Sequence, residues 1–449
     1  MAVNANVARS NELVRGLPQR GPLVLQTLRD RALGVMIGSA LGDAIGLYTE
    51  FMTTREVIAR YSAKPTFTLH PAPSPQFWGD NHRANHPEGN WSDDTDHAII
   101  LLLAFLRTAR TDDTNPEGQI AFSLTLPLPA QTEVALRIRL WIKNGTMALG
   151  RFPIGAGRHT RDINKRRNFV RAPPVAAKDE WVASGYRSAP NGALMRTHPL
   201  GIMTVFRTEA EAFHIGAEVS KASHYDPRCV VSCIIGTALV RAVVRGEIIV
   251  EADIDNLINR AVTWYIANES DPDALTRFNR AELNKHVNPP NGFNDLNLDT
   301  NANEVGYTYK CLGSGIECLR LAIRIDERSR GGLVAREMLF EWLIHELTMR
   351  AGDADTNGCF AGALLGGYCG WSGLPGHWKH GLIDGVWLQQ KSEDLCTVLG
   401  FRSGTYNGAT DPQVKRYGGR ANVYSAAELA ARASAHWASC ATRLATRSK

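Results

Sequence analysis

Two short acidic stretches carry residue types that could do chemistry. Ser92-Asp93-Asp94-Thr95-Asp96 closes a polar stretch and opens the apolar run Ala98–Leu106. Gly352-Asp353-Ala354-Asp355-Thr356-Asn357 stands directly before Gly358–Tyr368, a segment made mostly of small residues. Ser and Asp are good helix N-caps, and acids suit the positive end of a helix dipole, but capping needs only one of them. Side by side, Asp93 and Asp94 repel each other unless a cation lies between them, and a divalent metal supplies that compensation. Both stretches offer carboxylate and hydroxyl oxygens and no thiolate, a donor set suited to magnesium, manganese or calcium rather than zinc. If the two converge, four carboxylates can hold two ions about 3.5 to 4 Å apart, an arrangement that orients and polarises a substrate.

The elements that must position these acids read as helices. Over Pro22–Phe51, the residues Leu23, Leu25, Leu28, Leu33, Met36, Ile37 and Leu41 recur at helical spacing and predict one long helix. Gly34, Gly38, Gly42 and Gly46 form a smooth stripe on it. Each glycine costs a helix about 1 kcal/mol relative to alanine, so four in register imply close approach of another backbone or a ligand. Close helix packing is the expected role, and Arg29, Asp30, Arg31 and Asp43 argue against a membrane seam. Further helices are predicted near Asp93–Leu106, Glu209–Ser223, Cys229–Arg245, Asp253–Ile266, Gly315–Arg324, Leu333–Met349 and Ser425–Ala445. The last opens with the capping box Ser425-x-x-Glu428. Alternating β-branched runs are almost absent, so an all-α fold is expected.

Composition narrows the function classes. With 449 residues, 44% hydrophobic and 21% charged, the chain can bury a large core, which excludes disordered, collagen-like and coiled-coil classes. A net charge of +5 is modest for a nucleic-acid binder, although Arg137–Arg171 holds ten Lys or Arg and one acid, Asp162. That run reads as a solvated face or a phosphate-facing surface. Eight scattered cysteines without a C-x-x-C pair suggest a reduced, intracellular protein. The apolar runs Ala98–Leu106 and Cys229–Val240 fall short of the roughly 20 residues of a membrane span. Met1–Gly21 lacks the continuous apolar run of a secretory signal and reads as a polar leader. Thr54–Asn90 and Asn284–Asn303, the latter with seven asparagines, read as long loops. Asp295, Asn297 and Asp299 imitate a calcium loop, but Thr300 replaces its glycine and Gly306 its bidentate Glu.

Ser92-Asp93-Asp94-Thr95 together with Asp353-Ala354-Asp355-Thr356 resembles the ADP-ribosylglycohydrolase family, the group that includes the dinitrogenase-reductase-activating glycohydrolase. Gly34 through Glu50 is similar to that family's first helix and following loop. Gly155-Ala-Gly157-Arg-His-Thr160, Asn191-Gly-Ala-Leu-Met-Arg196, Ser223-His224 and Gly313-Ser314-Gly315 resemble its ligand-contacting segments in the expected order. The resemblance covers about residues 28 to 390.

It implies an all-α orthogonal multi-helix bundle with a two-magnesium centre, manganese being an alternative, that binds the distal ribose of ADP-ribose. Carried over by position, Ser92, Asp93, Asp94, Asp353, Asp355 and Thr356 would be metal ligands. Glu50 and Asp94 would act on the reacting atoms. Gly155, Gly157, Ser188, Asn191, Gly192, Met195, His224, Gly313, Ser314 and Gly315 would line the substrate path. The implied organisation is a leader at 1–21 and one domain at 22–449, with loop insertions near 54–90, 161–187 and 284–304. Ala189-Pro190-Asn191-Gly192 departs from the family's Gly-Asn-Gly turn, and Pro190 stiffens the backbone there. Lys165–Tyr186 is unusually long and basic, and Ser92 stands where threonine is common.

The activity implied is metal-dependent hydrolysis of the glycosidic bond between ADP-ribose and a protein side chain, by a monomer. Alternatives are hydrolysis of a free ADP-ribose derivative, such as the 1''-phosphate or an O-acyl form, and binding of ADP-ribose without turnover. On the residues alone, His224 is as well explained by capping or core packing as by ligand contact. Met36 and Met195 suit the core, Trp91 suits packing more than base stacking, and Trp371, Trp378 and Trp387 suit hydrophobic support for the second acidic stretch.

Overall fold

The computed structural model describes residues 21–63, 65–70, 77–111, 128–300, 304–329 and 336–447. The expected leader, apart from Gly21, and the first residues of the helix expected from Leu333 lie outside them. The α-helices, numbered in chain order, begin with α1 (Pro22–Gly46), α2 (Thr54–Tyr61), α3 (Asp93–Thr108), α4 (Gln131–Asn144), α5 (Arg158–Lys165), α6 (Pro173–Ala183), α7 (His198–Met203) and α8 (Glu209–Lys221). Next come α9 (Pro227–Arg245), α10 (Glu251–Asn268), α11 (Pro272–Arg277), α12 (Arg280–Val287) and α13 (Phe293–Leu296). The series ends with α14 (Thr308–Ser329), α15 (Arg336–Thr348), α16 (Ala354–Cys369), α17 (Gly376–Gly381), α18 (Gly385–Val398) and α19 (Ala426–Arg447). Among the described residues there is no strand, only the isolated bridges Arg110–Asn407 and Pro190–Tyr307.

Two stretches expected as loops contain helices. In 54–90, α2 is closed by a reciprocal capping box, Thr53 accepting from the Glu56 amide while Glu56 accepts from that of Thr53. In 161–187, α5 and α6 occupy much of the segment, and α6 starts on Pro173-Pro174, whose missing amide donors cost nothing at a helix start. The described part of the 284–304 stretch, 284–300 and 304, is largely irregular, as its asparagines suggest, apart from the end of α12 and the single turn of α13. The predicted capping box at the start of α19 is present, with the Ser425 amide 2.7 Å from Glu428 Oε2.

The centre of the fold is the antiparallel pair α1 and α16. The glycine stripe of α1 meets a second stripe on α16: Gly34 lies against Gly366, Gly38 against Gly362, Gly42 against Gly358, and Gly46 against Ala354. A Cβ added at any of the four would fall between 1.9 and 2.5 Å from a carbonyl oxygen of α16, well inside van der Waals contact. Only glycine lets two helix backbones come this near, so the stripe is a packing seam. From Ala32 to Gly46 every residue of α1 is buried. Because the helices run in opposite directions, the end of α1 lies beside the start of α16. The residues after the one therefore meet the residues before the other.

Helix α9 completes the core; among the described residues it is the one helix long and apolar enough to cross a membrane, and 94% of its apolar window is buried inside the protein. Met36 is buried in the core. Trp378 is also buried, its indole N–H donating to the Phe67 carbonyl at 3.0 Å. Within the basic run 137–171, internal contacts hold Arg137 with Glu133 at 2.9 Å, Arg166 with Glu180 at 2.9 Å, and Arg139 donating to the carbonyls of Asn164 and Arg166, while Lys143, Arg158, Arg161, Lys165, Arg167 and Arg171 are exposed.

Candidate metal centre

The α1–α16 seam brings the two acidic stretches together. Asp43, in the last turn of α1, accepts from the Ser92 amide at 2.9 Å on Oδ1 and from the Thr95 amide and hydroxyl at 3.0 and 2.6 Å on Oδ2. It thereby caps α3 from a neighbouring helix and holds that helix's N-terminus against the start of α16. Thr356 Oγ1 bridges the two stretches, lying 3.1 Å from Asp94 Oδ2 and 3.3 Å from Asp353 Oδ1.

Two overlapping sets of carboxylates result. Asp43, Asp94 and Asp355 place one oxygen each within 4.8 Å of one another, and Glu50, Asp353 and Asp355 do the same. Asp355 belongs to both, and all five are buried. Among the described residues, no lysine or arginine forms an ion pair with any of the five acids, and the Glu50 carboxylate pairs only with His82. Burial pushes Asp43 and Asp353 up to about 6, and burial plus mutual repulsion holds Asp93, Asp94 and Asp355 well above the usual carboxylate range. Anions held this close in a dry site need a counter-charge, and an oxygen-only set of this kind fits hard divalent ions. Asp93 sits at the rim, half-buried, with its carboxylate under Gly155, whose φ of +88° lets the backbone pass where a Cβ would fall 2.2 Å from Asp93 Oδ1.

Asp96, the third acid of that stretch, is committed elsewhere. It accepts from the indoles of Trp91 and Trp141, both at 2.9 Å, and lies 3.4 Å from Arg151. Trp91 is buried beneath the Arg151 guanidinium, 4.4 Å from its ring centre, and serves packing.

The Pro190 turn, despite its departure from the family pattern, delivers Asn191 to the acids. The Pro190–Tyr307 bridge is flanked by bonds from the Asn191 amide to Gly306 and from the Thr308 amide to Ala189, and Asn191 Nδ2 donates to Asp353 Oδ2 at 2.7 Å. Gly192 is next to His224, whose Nε2 would lie 3.1 Å from an added Cβ. Arg196 donates to Ser223 Oγ at 2.6 Å, which leaves the Ser223 proton for His224 Nδ1 at 2.7 Å. The imidazole, kept neutral by burial, then carries its proton on Nε2, a buried atom without a hydrogen-bond partner among the described residues.

Other expected contacts fall differently. Gly313, Ser314 and Gly315 lie inside α14: a Cβ on Gly313 would strike the His286 carbonyl, one on Gly315 the Phe360 ring, and Ser314 bonds back to Cys311. Their small size is explained by helix packing rather than by a ligand loop. Met195 is a buried packing side chain. The Ser188 amide donates to Ser184 Oγ, and the space above Gly157, at the start of α5, is open.

Asp43 and His82 are absent from the expected set. The single charged residue in the apolar, glycine-striped stretch Ala32–Gly46 was the available signal for Asp43. His82, whose Nε2 is 2.6 Å from Glu50 Oε2, carried no local signal, because only the fold brings its loop to Glu50.

The sequence profile of the ADP-ribosylglycohydrolase family matches residues 25–403, and the chain belongs to that family. The family is metal-dependent and acts on ADP-ribosylated substrates. Among solved structures similar to this chain, an ADP-ribosylglycohydrolase-related protein complex aligns over 83% of this chain and 97% of that one, at 19% identity and a TM-score of 0.48. No curated protein matches the chain.

Proposed function

We propose that this protein hydrolyses the glycosidic bond between ADP-ribose and a protein side chain, releasing ADP-ribose, with two magnesium ions held by the converged carboxylates. The observation that carries this reading is the pair of buried acid sets sharing Asp355. In this reading Asp43, Asp94 and Asp355 hold one ion, Asp353 and Asp355 the other, with Ser92, Asp93 and Thr356 completing the donors. Bound there, the ions supply Lewis acidity and a grip on the ribose hydroxyls.

The chain's own groups do the rest. Departure from the anomeric carbon develops positive charge on the ribose, which the surrounding carboxylates oppose. Glu50, at the edge of the acid cluster, accepts the proton of the attacking water as the bond from the anomeric carbon to the side chain breaks, and Asp94 assists it; the departing nitrogen or oxygen takes that proton back from Glu50. Asn191, fixed on Asp353, and the Nε2–H of His224 offer polar contacts to the ribose and phosphate oxygens, while Gly155 lets the substrate approach the backbone above Asp93.

The test is a panel of ADP-ribosylated arginine and serine peptides, together with ADP-ribose 1''-phosphate and O-acyl ADP-ribose, assayed for product by mass spectrometry with and without chelator. Release from a peptide, abolished by chelation, is the expected result. Turnover confined to the free metabolites transfers the reading to that substrate class, and tight ADP-ribose binding with no turnover of any substrate overturns hydrolysis.

A further inference from the structure

Helix α19 lies beyond the end of the family match at residue 403, yet it grips the loop that touches Glu50. Arg443 Nε donates to the Ala84 carbonyl at 2.7 Å, and Arg447 donates to the carbonyls of Arg83 at 2.8 Å and His86 at 3.1 Å. Arg447 also pairs with Glu88 at 2.7 Å, and its side chain is only 3% exposed although α19 runs over the surface. The loop so held reaches Glu50 in two ways. Arg83, itself almost fully buried and paired with Asp80 at 2.6 Å, donates to the carbonyls of Tyr48 and Glu50, and His82 Nε2 meets the Glu50 carboxylate. At the other end of α19, Arg432 donates to the Arg151 carbonyl at 2.9 Å, on the stretch that leads to Gly155.

We propose that α19 is a strap that holds Glu50 over the acid cluster through the 80–88 loop, with Arg443 and Arg447 as positioning residues; the proposal rests on the role of Glu50 given above. The physical reason is that residues 47–51 form only turns after α1 ends, and Phe51 takes a φ of 60°, a conformation bulky side chains rarely adopt. Such a segment needs outside contacts to stay in place. Buried guanidinium groups spanning two or more carbonyls supply rigid ones, because their donors are planar and fixed relative to one another.

The test compares wild type, Arg443→Ala/Arg447→Ala, the corresponding double Lys variant, Glu50→Gln, and Glu50→Gln combined with both Ala changes. Turnover is followed on the best substrate of the panel, and manganese affinity by calorimetry. The Ala pair should lower kcat about 10-fold or more while KM stays within about twofold and manganese affinity is unchanged. The combined variant should be no slower than Glu50→Gln alone, since groups acting through one residue are not additive. The Lys pair, keeping one charged nitrogen per position without the planar fork, should recover part of the loss. Hydrogen exchange of the 80–88 amides should rise about 10-fold in the Ala pair, with α1 and α16 unaffected. Additive losses, or unchanged exchange at 80–88, overturn the strap. If Glu50→Gln leaves turnover intact while exchange at 80–88 rises as expected, the role of Glu50 falls, and with it the catalytic purpose of the strap.

Discussion

The backbones of Gly42 and Gly358 touch: a methyl group on Gly42 would lie 1.9 Å from the Gly358 carbonyl oxygen, and one on Gly358 2.3 Å from that of Gly42. The contact lies one residue from Asp43 and three from Asp355, so the spacing of the helices there sets the spacing of the acids.

Gly42→Ala should therefore do two things. Overpacking of a rigid seam costs about 1 to 3 kcal/mol or more, read as a lowered midpoint in urea unfolding. Whatever protein folds should bind manganese more weakly, because α1 and α16 have been pushed apart. Gly376→Ala, at a position with no atom within 4 Å of the new methyl, is the control and should leave both readings unchanged. Normal manganese binding by a folded Gly42→Ala protein would break the link between seam and site.

Asp94→Ala, Asp353→Ala and Asp355→Asn should each abolish metal-dependent turnover while leaving a folded protein. Without metal, these variants should be at least as stable as wild type, since each removes one of several repelling buried anions. A thermal melt in chelator checks the stability and calorimetry with manganese checks the binding. A variant with near-normal activity would place the centre elsewhere.

Asp96→Ala should behave in the opposite way. It strips the partner from two buried indole N–H groups and from Arg151, at a cost of about 3 kcal/mol. Manganese affinity per folded molecule should be preserved, because Asp96 faces away from the acid sets. Loss of manganese affinity without loss of stability would reverse this assignment.

The acids also set a pH dependence. Asp43 and Asp353 sit near 6 in the folded protein against 3.8 for the free side chain. The folded state thus holds more protons than the unfolded chain between about pH 4 and 6, so metal-free stability declines as pH rises through that window. Divalent ions compete with those protons, so manganese should raise Tm more at about pH 7.5 than at about pH 5. An equal rise at both values would contradict a site built on these carboxylates.

The amino-acid pattern by itself determined the helical class, because apolar residues recur at helical spacing through most segments. It also marked Asp94, Asp353, Asp355 and Thr356 as oxygen donors and the Gly34–Gly46 stripe as a close-packing face, since both signals are local: acids crowded at helix starts, and glycines four apart. Even α2 was locally encoded, in the Thr53–Glu56 capping box. Tertiary structure alone decided which acids share the site. Asp43 and Glu50 join it because α1 and α16 run antiparallel, whereas Asp96, on the turn that carries Asp94, points to Trp91 and Trp141 instead. The placement of His82 on Glu50, 32 residues away, and of Arg447 behind that loop, more than 350 residues from it, likewise depends on contacts that no local pattern encodes. Local residue patterns encode helices, caps and small faces; which side chains meet is settled only when those faces find one another in a common core.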